Sequence, residues 1–398
     1  MPTSLFCYAW DLAGAAGRAR LDRVAELGLD GLSLATAYHA GKFLRPGDPD
    51  GKVYFPEDGT VFFRPRGRYR TLVPQVAKVA EEQDVLADLL ADGRFAVRGW
   101  TVLLHNSRLG FAHPDLAVRN AFGDPLFYSL CPAQAEVQHY AVTLCADLAQ
   151  HYAVTGLALE TPGFMPFAHG YHHEFGLMPT NGWMNLLLGL CFCDACKQQA
   201  RVAGIDVEGL ARRVRDAVHG YMAGPASVPE DMAQAWTAAD LVLDPELGAF
   251  LRWRCQLVTG LIAAIRAALP PRTALSIIPS VQRPSAAAWS EGSDLAAIAA
   301  AGAAIELCLY EPDPNRALAD LLDSRRRAGP GAELAAILRP AWPDIGSEAQ
   351  LTATIRLLIE QGVRHVGFYN MGHIRPHNLA WLGAAAALLA GASQGAQP

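Results

Sequence analysis

The 398-residue sequence has little charge and no long uninterrupted run of apolar residues. Only 18% of the residues are Asp, Glu, Lys or Arg, whereas 51% are hydrophobic, a balance that indicates a packed chain rather than a disordered one. No apolar stretch reaches the roughly 20 residues that a membrane-spanning helix needs. The formal net charge of −6 provides no basic field for nucleic acid. We therefore expect neither a membrane protein nor a nucleic-acid-binding protein.

The sequence also lacks a secretory signal and a dinucleotide-binding motif. No positively charged segment followed by an apolar core opens the chain, so we expect a cytoplasmic protein. No G-x-G-x-x-G follows any apolar run, which removes the best support for a dinucleotide-binding sheet. The eight cysteines form no regular framework, and this favours reduced thiols with one metal site over disulfides.

Short apolar runs that alternate with helical stretches indicate the architecture. Eight such strand–helix units predict an α/β protein with a (β/α)8 TIM barrel fold. The predicted strands are residues 5–10, 31–35, 97–104, 156–160, 274–279, 304–310, 334–338 and 365–369. A single barrel over residues 1–392, followed by a disordered tail at 393–398, accounts for the whole chain.

Three segments are too long for ordinary connections between strands and helices. They are residues 40–70 after strand two, residues 161–184 after strand four, and residues 222–244 on the way to strand five. The first two follow strands directly, so we expect both at the C-terminal face of the barrel, where TIM-barrel enzymes carry out their chemistry.

Three cysteines, Cys191, Cys193 and Cys196, fall within six residues in a C-x-C-x-x-C pattern. Zinc binds thiolates well, and this spacing lets one short turn contribute three corners of a tetrahedron. Cys131, in the loop before the helix that leads to strand four, is the best candidate for the fourth ligand. We therefore predict a structural Zn²⁺ at these four residues, with a metal-free cysteine-rich loop as the alternative.

The order of these features resembles that of the family-42 β-galactosidases. The resemblance covers residues 129–213 and rests on Cys131, on the carboxylate that ends strand four, and on the cysteine turn that opens a helix. In that family a structural zinc is bound by cysteines at these places, and a glutamate at the end of strand four is the general acid/base. The resemblance implies that role for Glu160. The sequence departs from the family because Leu159 replaces the usual Asn and no glutamate closes strand seven, so it favours a divergent glycosidase family.

Glycoside hydrolysis needs two carboxyl groups that flank the sugar. Alternation along strand four directs Glu160 toward the barrel axis, where a carboxylate is costly unless it is functional or paired. The candidate partners, in order, are Glu311 at the end of strand six, Asp344 beyond strand seven, and Glu306 within strand six. Each of them could equally be a capping or loop carboxylate, and Glu306 could bond to a basic neighbour.

Aromatic and hydrogen-bonding residues near the predicted strand ends and in the second insertion would suit a bound sugar. They are Trp10, Tyr38, His39, His105, Asn106, Tyr171, Trp183, Trp342, Tyr369 and Asn370. The sequence therefore favours a glycoside hydrolase with a small glycoside or oligosaccharide as substrate. A metal-dependent sugar isomerase or epimerase and a non-catalytic carbohydrate-binding barrel stay open as alternatives, and a homo-oligomer is compatible with the sequence.

Overall fold

Eight parallel strands form a closed barrel in the computed structural model, which describes residues 3–171 and 176–394. Each strand pairs in parallel with the next along the chain, and the last pairs with the first, so the barrel has no free edge. The strands are β1 (Thr3–Cys7), β2 (Gly31–Tyr38), β3 (Ala96–Val102), β4 (Gly156–Glu160), β5 (Ala274–Ile278), β6 (Ala304–Cys308), β7 (Leu334–Leu338) and β8 (Val366–Phe368). The predicted (β/α)8 barrel is confirmed.

Helices surround this barrel and cover the outer face of its strands. None of the helices in the described part of the chain is long and apolar enough to cross a membrane. The α-helices are Ala9–Leu12, Gly14–Glu26, Lys78–Glu82, Val85–Asp92, Ser107–Ala112, Ala135–His151, Gly182–Leu188, Asp194–Val202, Val207–Ala223, Glu230–Leu243, Pro245–Ala268, Leu295–Ala300, Pro314–Ala328, Glu348–Glu360, Pro376–Leu379 and Trp381–Gln394. Asp244 and Asp313 each accept hydrogen bonds from the first turn of the helix that follows, and a proline stands at the next position, a combination that starts helices.

Alternation along β4 turns its leucines outward and its glutamate inward. Leu157 packs beside Leu148 of the helix Ala135–His151, which approaches the barrel closely at Gly99 of β3. A Cβ atom at Gly99 would lie 2.8 Å from Cδ2 of Leu148, so this close approach depends on the glycine. The outward leucines leave the interior face of β4 to Ala158 and Glu160, as the period of two predicts.

A buried ion pair crosses the barrel interior from β3 to β6. Nη2 of Arg98 donates a hydrogen bond of 2.7 Å to Oε2 of Glu306, and Nε of Arg98 donates one of 2.7 Å to Ser33. Burial alone would raise the pKa of Glu306, but the charge and hydrogen bonds of Arg98, together with His365 and Ser276, outweigh burial and lower this pKa. Of the two possibilities left open for Glu306, the structure shows the bond to a basic neighbour.

The first predicted insertion contains the short strands Phe43–Leu44, Val53–Tyr54 and Thr60–Val61. Three more short strands, Gln75–Val76, Ala117–Arg119 and Pro125–Leu130, lie outside the predicted insertions. Residues 222–244 include the helix Glu230–Leu243, and residues 172–175 of the second insertion lie outside the described residues. The last helix continues to Gln394, past the predicted start of the tail, and residues 395–398 are not described.

Candidate active site

A cavity of about 470 Å³ opens at the C-terminal ends of the barrel strands. Each of the eight strands contributes a lining residue from its C-terminal half or from the position directly after it. These residues are Phe6, Tyr38, Trp100, Glu160, Ile278, Cys308, Ile337 and Tyr369. Active sites of TIM-barrel enzymes lie at this end of the barrel, because loops that follow neighbouring strands converge there.

Glu160, the last residue of β4, presents its carboxyl group to this cavity. Burial raises the pKa of Glu160 from its ordinary value of 4.5 to about 7, although a hydrogen bond from Trp100 favours the ionised form. A carboxyl group with this pKa is about half protonated at neutral pH. It can therefore donate a proton to a bound substrate and recover it from water.

The backbone turns sharply at Thr161, directly after Glu160. Its φ of 53° is left-handed, which costs a β-branched residue roughly 1–3 kcal/mol. Among the described residues other than glycine, only Thr161 has a positive φ. Leu103 and Leu104 hold the turn by donating backbone hydrogen bonds of 2.9 Å and 3.1 Å to the carbonyl oxygens of Glu160 and Thr161. Strain of this kind accumulates at functional sites, and here it adjoins the half-buried carboxyl group of Glu160.

Three tyrosine hydroxyl groups meet at the cavity wall, two of them from the lining residues Tyr38 and Tyr369. The hydroxyl of Tyr8 lies 3.1 Å from that of Tyr38 and 3.2 Å from that of Tyr369. Burial, together with the neighbouring tyrosines, raises the pKa of Tyr8 and of Tyr38, so these hydroxyls stay neutral. The ring of Trp100 meets Tyr38 and Tyr369 edge-on, with centroids 5.0 Å and 5.8 Å apart. The result is a rigid aromatic wall of the kind that binds the apolar face of a sugar.

Two arginines approach the ring of Tyr310 on the side of β6 and β7. The guanidinium carbon of Arg283 lies 5.4 Å from the ring centroid, and that of Arg339 lies 4.8 Å from it. All three residues line the cavity. Asp344 accepts a hydrogen bond from Nε of Arg339.

Histidines border the cavity where the second insertion meets it. His39 and His105 stack with ring centroids 4.3 Å apart, and Nε2 of His105 lies 3.1 Å from the carbonyl oxygen of Gly170. Gly170 approaches Tyr128 so closely that a Cβ atom would lie 2.1 Å from Cδ2 of that ring. The glycine therefore lets the second insertion pack down onto the rim of the cavity.

Part of the predicted site lines this cavity. Its members are Glu160, Tyr38, His39, His105, Tyr171 and Tyr369. The two predicted partner carboxylates do not line it: Glu311 forms an ion pair of 2.6 Å with Arg316, and Asp344 bonds to Arg339. Within the part of the cavity wall that the structure describes, Glu160 is the only carboxyl group.

Two other predicted sugar contacts pack beside the cavity instead of lining it. The ring of Trp10 stacks on Tyr54 with centroids 4.7 Å apart, and so joins the first insertion to the helix Ala9–Leu12 that follows β1. Oδ1 of Asn106 accepts a hydrogen bond of 2.9 Å from the backbone of Leu109, and thereby caps the helix Ser107–Ala112.

The remaining predicted contacts have other partners. Nε1 of Trp183 donates a hydrogen bond of 2.6 Å to Asp240 in the helix Glu230–Leu243. Trp342 is 88% exposed and does not line the cavity. Asn370 is fully buried, and its Oδ1 accepts a hydrogen bond of 3.0 Å from the backbone of Gly372.

Trp100, Tyr310 and Arg283 are among the residues of the cavity wall that sequence reasoning missed. Trp100 lies two positions after Arg98, so alternation along β3 places both side chains inside the barrel and could have identified it. Tyr310 directly precedes Glu311, and the sequence analysis selected the carboxylate of Glu311 as the site residue instead. Arg283 lies in the connection after β5, and no sequence pattern directs it to the site.

Four buried cysteine thiols form a separate cluster. The Sγ atoms of Cys131, Cys191, Cys193 and Cys196 lie within 4.8 Å of one another, close enough to hold a metal ion. Sγ of Cys131 is 3.5 Å, 3.6 Å and 3.7 Å from those of Cys196, Cys193 and Cys191. A tetrahedral zinc site with Zn–S bonds of about 2.3 Å has sulfur atoms about 3.8 Å apart, so the four residues fit such an ion. The backbone N–H of Arg119 donates to Sγ of Cys191 at 3.4 Å.

Comparisons with known proteins bear on the fold. No protein-family model and no curated protein matches the sequence. The chain is similar to the glycoside hydrolase domain of PgaB (BpsB) from Bordetella bronchiseptica, with a TM-score of 0.53, 13% identity and 97% of each chain covered. It is also similar to α-L-fucosidase isoenzyme 2 from Paenibacillus thiaminolyticus, with a TM-score of 0.54 and 11% identity. That match covers 98% of this chain and 50% of the fucosidase. These likenesses establish a shared barrel fold.

Proposed function

We propose that this protein is a glycoside hydrolase in which Glu160 is the general acid. The observation that carries the proposal is the position of the Glu160 carboxyl group, which faces a cavity at the C-terminal end of the barrel and has a pKa of about 7. A glycosidase acid must hold its proton near neutral pH, and burial in a wall rich in aromatic residues provides this property. The similarity to two barrels named as glycosidases agrees with the proposal at the level of the fold.

In the proposed reaction Glu160 protonates the glycosidic oxygen as its bond to the anomeric carbon breaks, and a water molecule supplies the oxygen that replaces it on that carbon, either directly or after a covalent intermediate with the second carboxylate. The negative charge then left on Glu160 is stabilised by the hydrogen bond from Nε1 of Trp100. The aromatic wall orients the sugar ring, so the scissile oxygen is presented to one carboxyl oxygen rather than to bulk water.

The proposal assigns the acid and leaves the second carboxylate as a choice between Glu311 and Asp344. Neither carboxylate lines the described cavity wall: Glu311 pairs with Arg316, and Asp344 pairs with Arg339, which itself lines the cavity. To flank the sugar, either carboxylate would have to leave its arginine partner and turn toward the cavity.

We also propose that the four-cysteine cluster binds a structural Zn²⁺ and that the chain is a divergent relative of the family-42 β-galactosidase type. Four thiolates in tetrahedral spacing suit zinc, and four protein ligands leave no open position for catalysis. When bound, the ion would link the loop at Cys131 to the turn at Cys191–Cys196, on either side of β4 in the sequence. Support for the relationship comes from this order of the cysteines around Glu160.

One observation favours a second function, a non-catalytic carbohydrate-binding barrel. Glu160 has no carboxylate partner among the described residues of the cavity wall, and hydrolysis by a carboxylate pair needs two. Such a barrel would bind sugars through the same aromatic wall and turn none of them over.

The decisive experiment compares aryl glycosides that differ in their leaving group. In Glu160→Gln we expect turnover of phenyl glycosides, which need protonation, to fall by about 10²-fold or more. Turnover of dinitrophenyl glycosides, whose leaving group needs no proton, should fall far less. Glu333→Gln is the matched control, because Glu333 is exposed and precedes β7 at the opposite end of the barrel.

Equal losses on both substrates would remove the acid role from Glu160. Sugar binding without turnover in the wild-type protein would support the non-catalytic barrel.

A further inference from the structure

We propose that the cavity selects an anionic sugar, of the uronic acid class, through Arg283 and Arg339, an inference that rests on the proposed function. The two guanidinium groups reach the same part of the cavity from different strands. Arg283 follows β5 and Arg339 directly follows β7, yet both lie within 5.4 Å of the centroid of the Tyr310 ring. A carboxylate beside that ring would be within reach of two cations.

The donors of these arginines are largely free to bind a ligand. Arg283 makes no hydrogen bond or ion pair with the described side chains, and its contact is the face of Tyr310. Asp344 engages only Nε of Arg339, so both terminal nitrogens of Arg339 lack a hydrogen-bond partner in the described structure. Guanidinium nitrogens of this kind bind carboxylates in bidentate fashion.

The charge of the described cavity wall also favours an anionic ligand. Arg283 and Arg339 contribute two permanent positive charges, whereas Glu160 contributes the only carboxyl group of the described wall. Asp344 compensates Arg339 from outside the wall, which leaves Arg283 uncompensated. Burial keeps Glu160 partly neutral at pH 7, so it offsets that charge incompletely. An anionic ligand would complete the balance, and a cationic amino sugar would be repelled.

The contact with Tyr310 also restricts where the two cations can lie. A guanidinium group against an aromatic face is held by cation–π attraction and gives up little freedom when it binds an anion. Exposed arginines on long helices, such as Arg326 beside Asp323, already have a carboxylate partner and face solvent. Arg283 and Arg339 therefore differ from an ordinary solvated arginine, because they line the cavity and have hydrogen-bond donors available for a ligand.

Binding by the full-length Glu160→Gln protein tests this inference without any turnover. Isothermal titration would compare methyl glycosides of glucuronic acid, glucose and glucosamine, and the same series in the galacto configuration. In at least one configuration we expect the uronide to bind about tenfold or more tightly than the neutral sugar, and the amino sugar to bind most weakly. Added salt should weaken only the binding of the uronide.

Arginine variants in the same background identify the source of the preference. Arg283→Gln should abolish most of it and should fold normally, because Arg283 has no side-chain ion pair to lose. Arg339→Gln should reduce it as well, with the unfolding temperature measured alongside since Asp344 loses its partner. Arg326→Gln is the control and should bind the uronide as the parent does.

The outcomes that contradict the uronide preference differ from those that contradict the proposed glycosidase activity. Equal affinity for uronide and neutral sugar, absence of uronide binding at millimolar concentration, or unchanged selectivity in Arg283→Gln would overturn the inference. Hydrolysis of neutral aryl glycosides without preference for uronides would refute the inference and leave the glycosidase intact. Selective uronide binding without hydrolysis by the wild type would refute the glycosidase alone.

Discussion

Nε1 of Trp100 donates a hydrogen bond of 2.7 Å to Oε2 of Glu160, from β3 to the adjacent strand β4. Two opposing effects meet at this carboxyl group. Burial disfavours the ionised form, whereas the indole N–H stabilises it, and the resulting pKa is about 7. A stronger donor would produce a permanent carboxylate, and no donor would produce a carboxylic acid that holds its proton well above neutral pH.

If Glu160 is the acid, as proposed, the wild-type protein should lose glycosidase activity as the pH rises through about 7. Only protonated Glu160 can protonate a leaving group, and the protonated fraction decreases above its pKa. The measurement is kcat/KM for a neutral phenyl glycoside from about pH 5 to about pH 9, so that substrate charge does not change. A profile that stays flat over this range would contradict the role of Glu160 as acid.

Replacement of Trp100 by Phe should move this alkaline limb to higher pH. The substitution keeps a ring in the aromatic wall but removes the donor that favours the carboxylate, so the pKa of Glu160 rises by about 1. The pH–rate profile of Trp100→Phe reports the change directly. Trp236→Phe, at a partly exposed tryptophan on the helix Glu230–Leu243, is the matched control and should keep the wild-type profile.

The purified protein should carry about one zinc ion per chain, and Cys131→Ser should lose it. Because the ion would join two segments around β4, we expect the unfolding temperature to fall together with the metal content. Elemental analysis and thermal unfolding measure the two quantities. Cys145→Ser removes a buried thiol outside the cluster and should retain the zinc. A Cys131→Ser protein as stable as the wild type would show that the cluster is no structural metal site.

Glu306→Gln should destabilise the barrel by about 3–5 kcal/mol, because it leaves the charge of Arg98 buried without its partner. Urea unfolding at neutral pH measures the change, and an added Arg98→Met should restore part of the stability. Asp323→Asn breaks an exposed pair and should cost less than about 1 kcal/mol. Equal free energies of unfolding for Glu306→Gln and Asp323→Asn would contradict this prediction.

The pair of Arg98 and Glu306 should also make stability depend on pH. Since the pKa of Glu306 is lowered in the folded state, the stabilisation by this pair is present above pH 4.5 and is lost as the pH falls through the lowered pKa.

Local patterns in the sequence were sufficient to predict the barrel and the inward direction of Glu160. Apolar runs of strand length that alternate with helical stretches predict eight parallel strands, since each must be buried on both faces. Alternation within residues 156–160 predicts that Glu160 faces the axis. The cysteine turn at 191–196 is equally local, and only one loop cysteine, Cys131, had to be matched to it across the chain.

The composition of the cavity wall was decided by the tertiary structure. Trp183 and Asn106 have the residue types of sugar contacts, yet one bonds to Asp240 and the other caps a helix. Conversely, Arg283 carries no recognisable signal but lies over Tyr310. A position near a strand end follows from local periodicity, whereas the direction of a loop side chain depends on which distant segment packs against it. The sequence by itself determined the barrel, Glu160 and the cysteine cluster. Which aromatic and cationic groups surround that carboxyl group was decided only by contacts between segments tens to hundreds of residues apart.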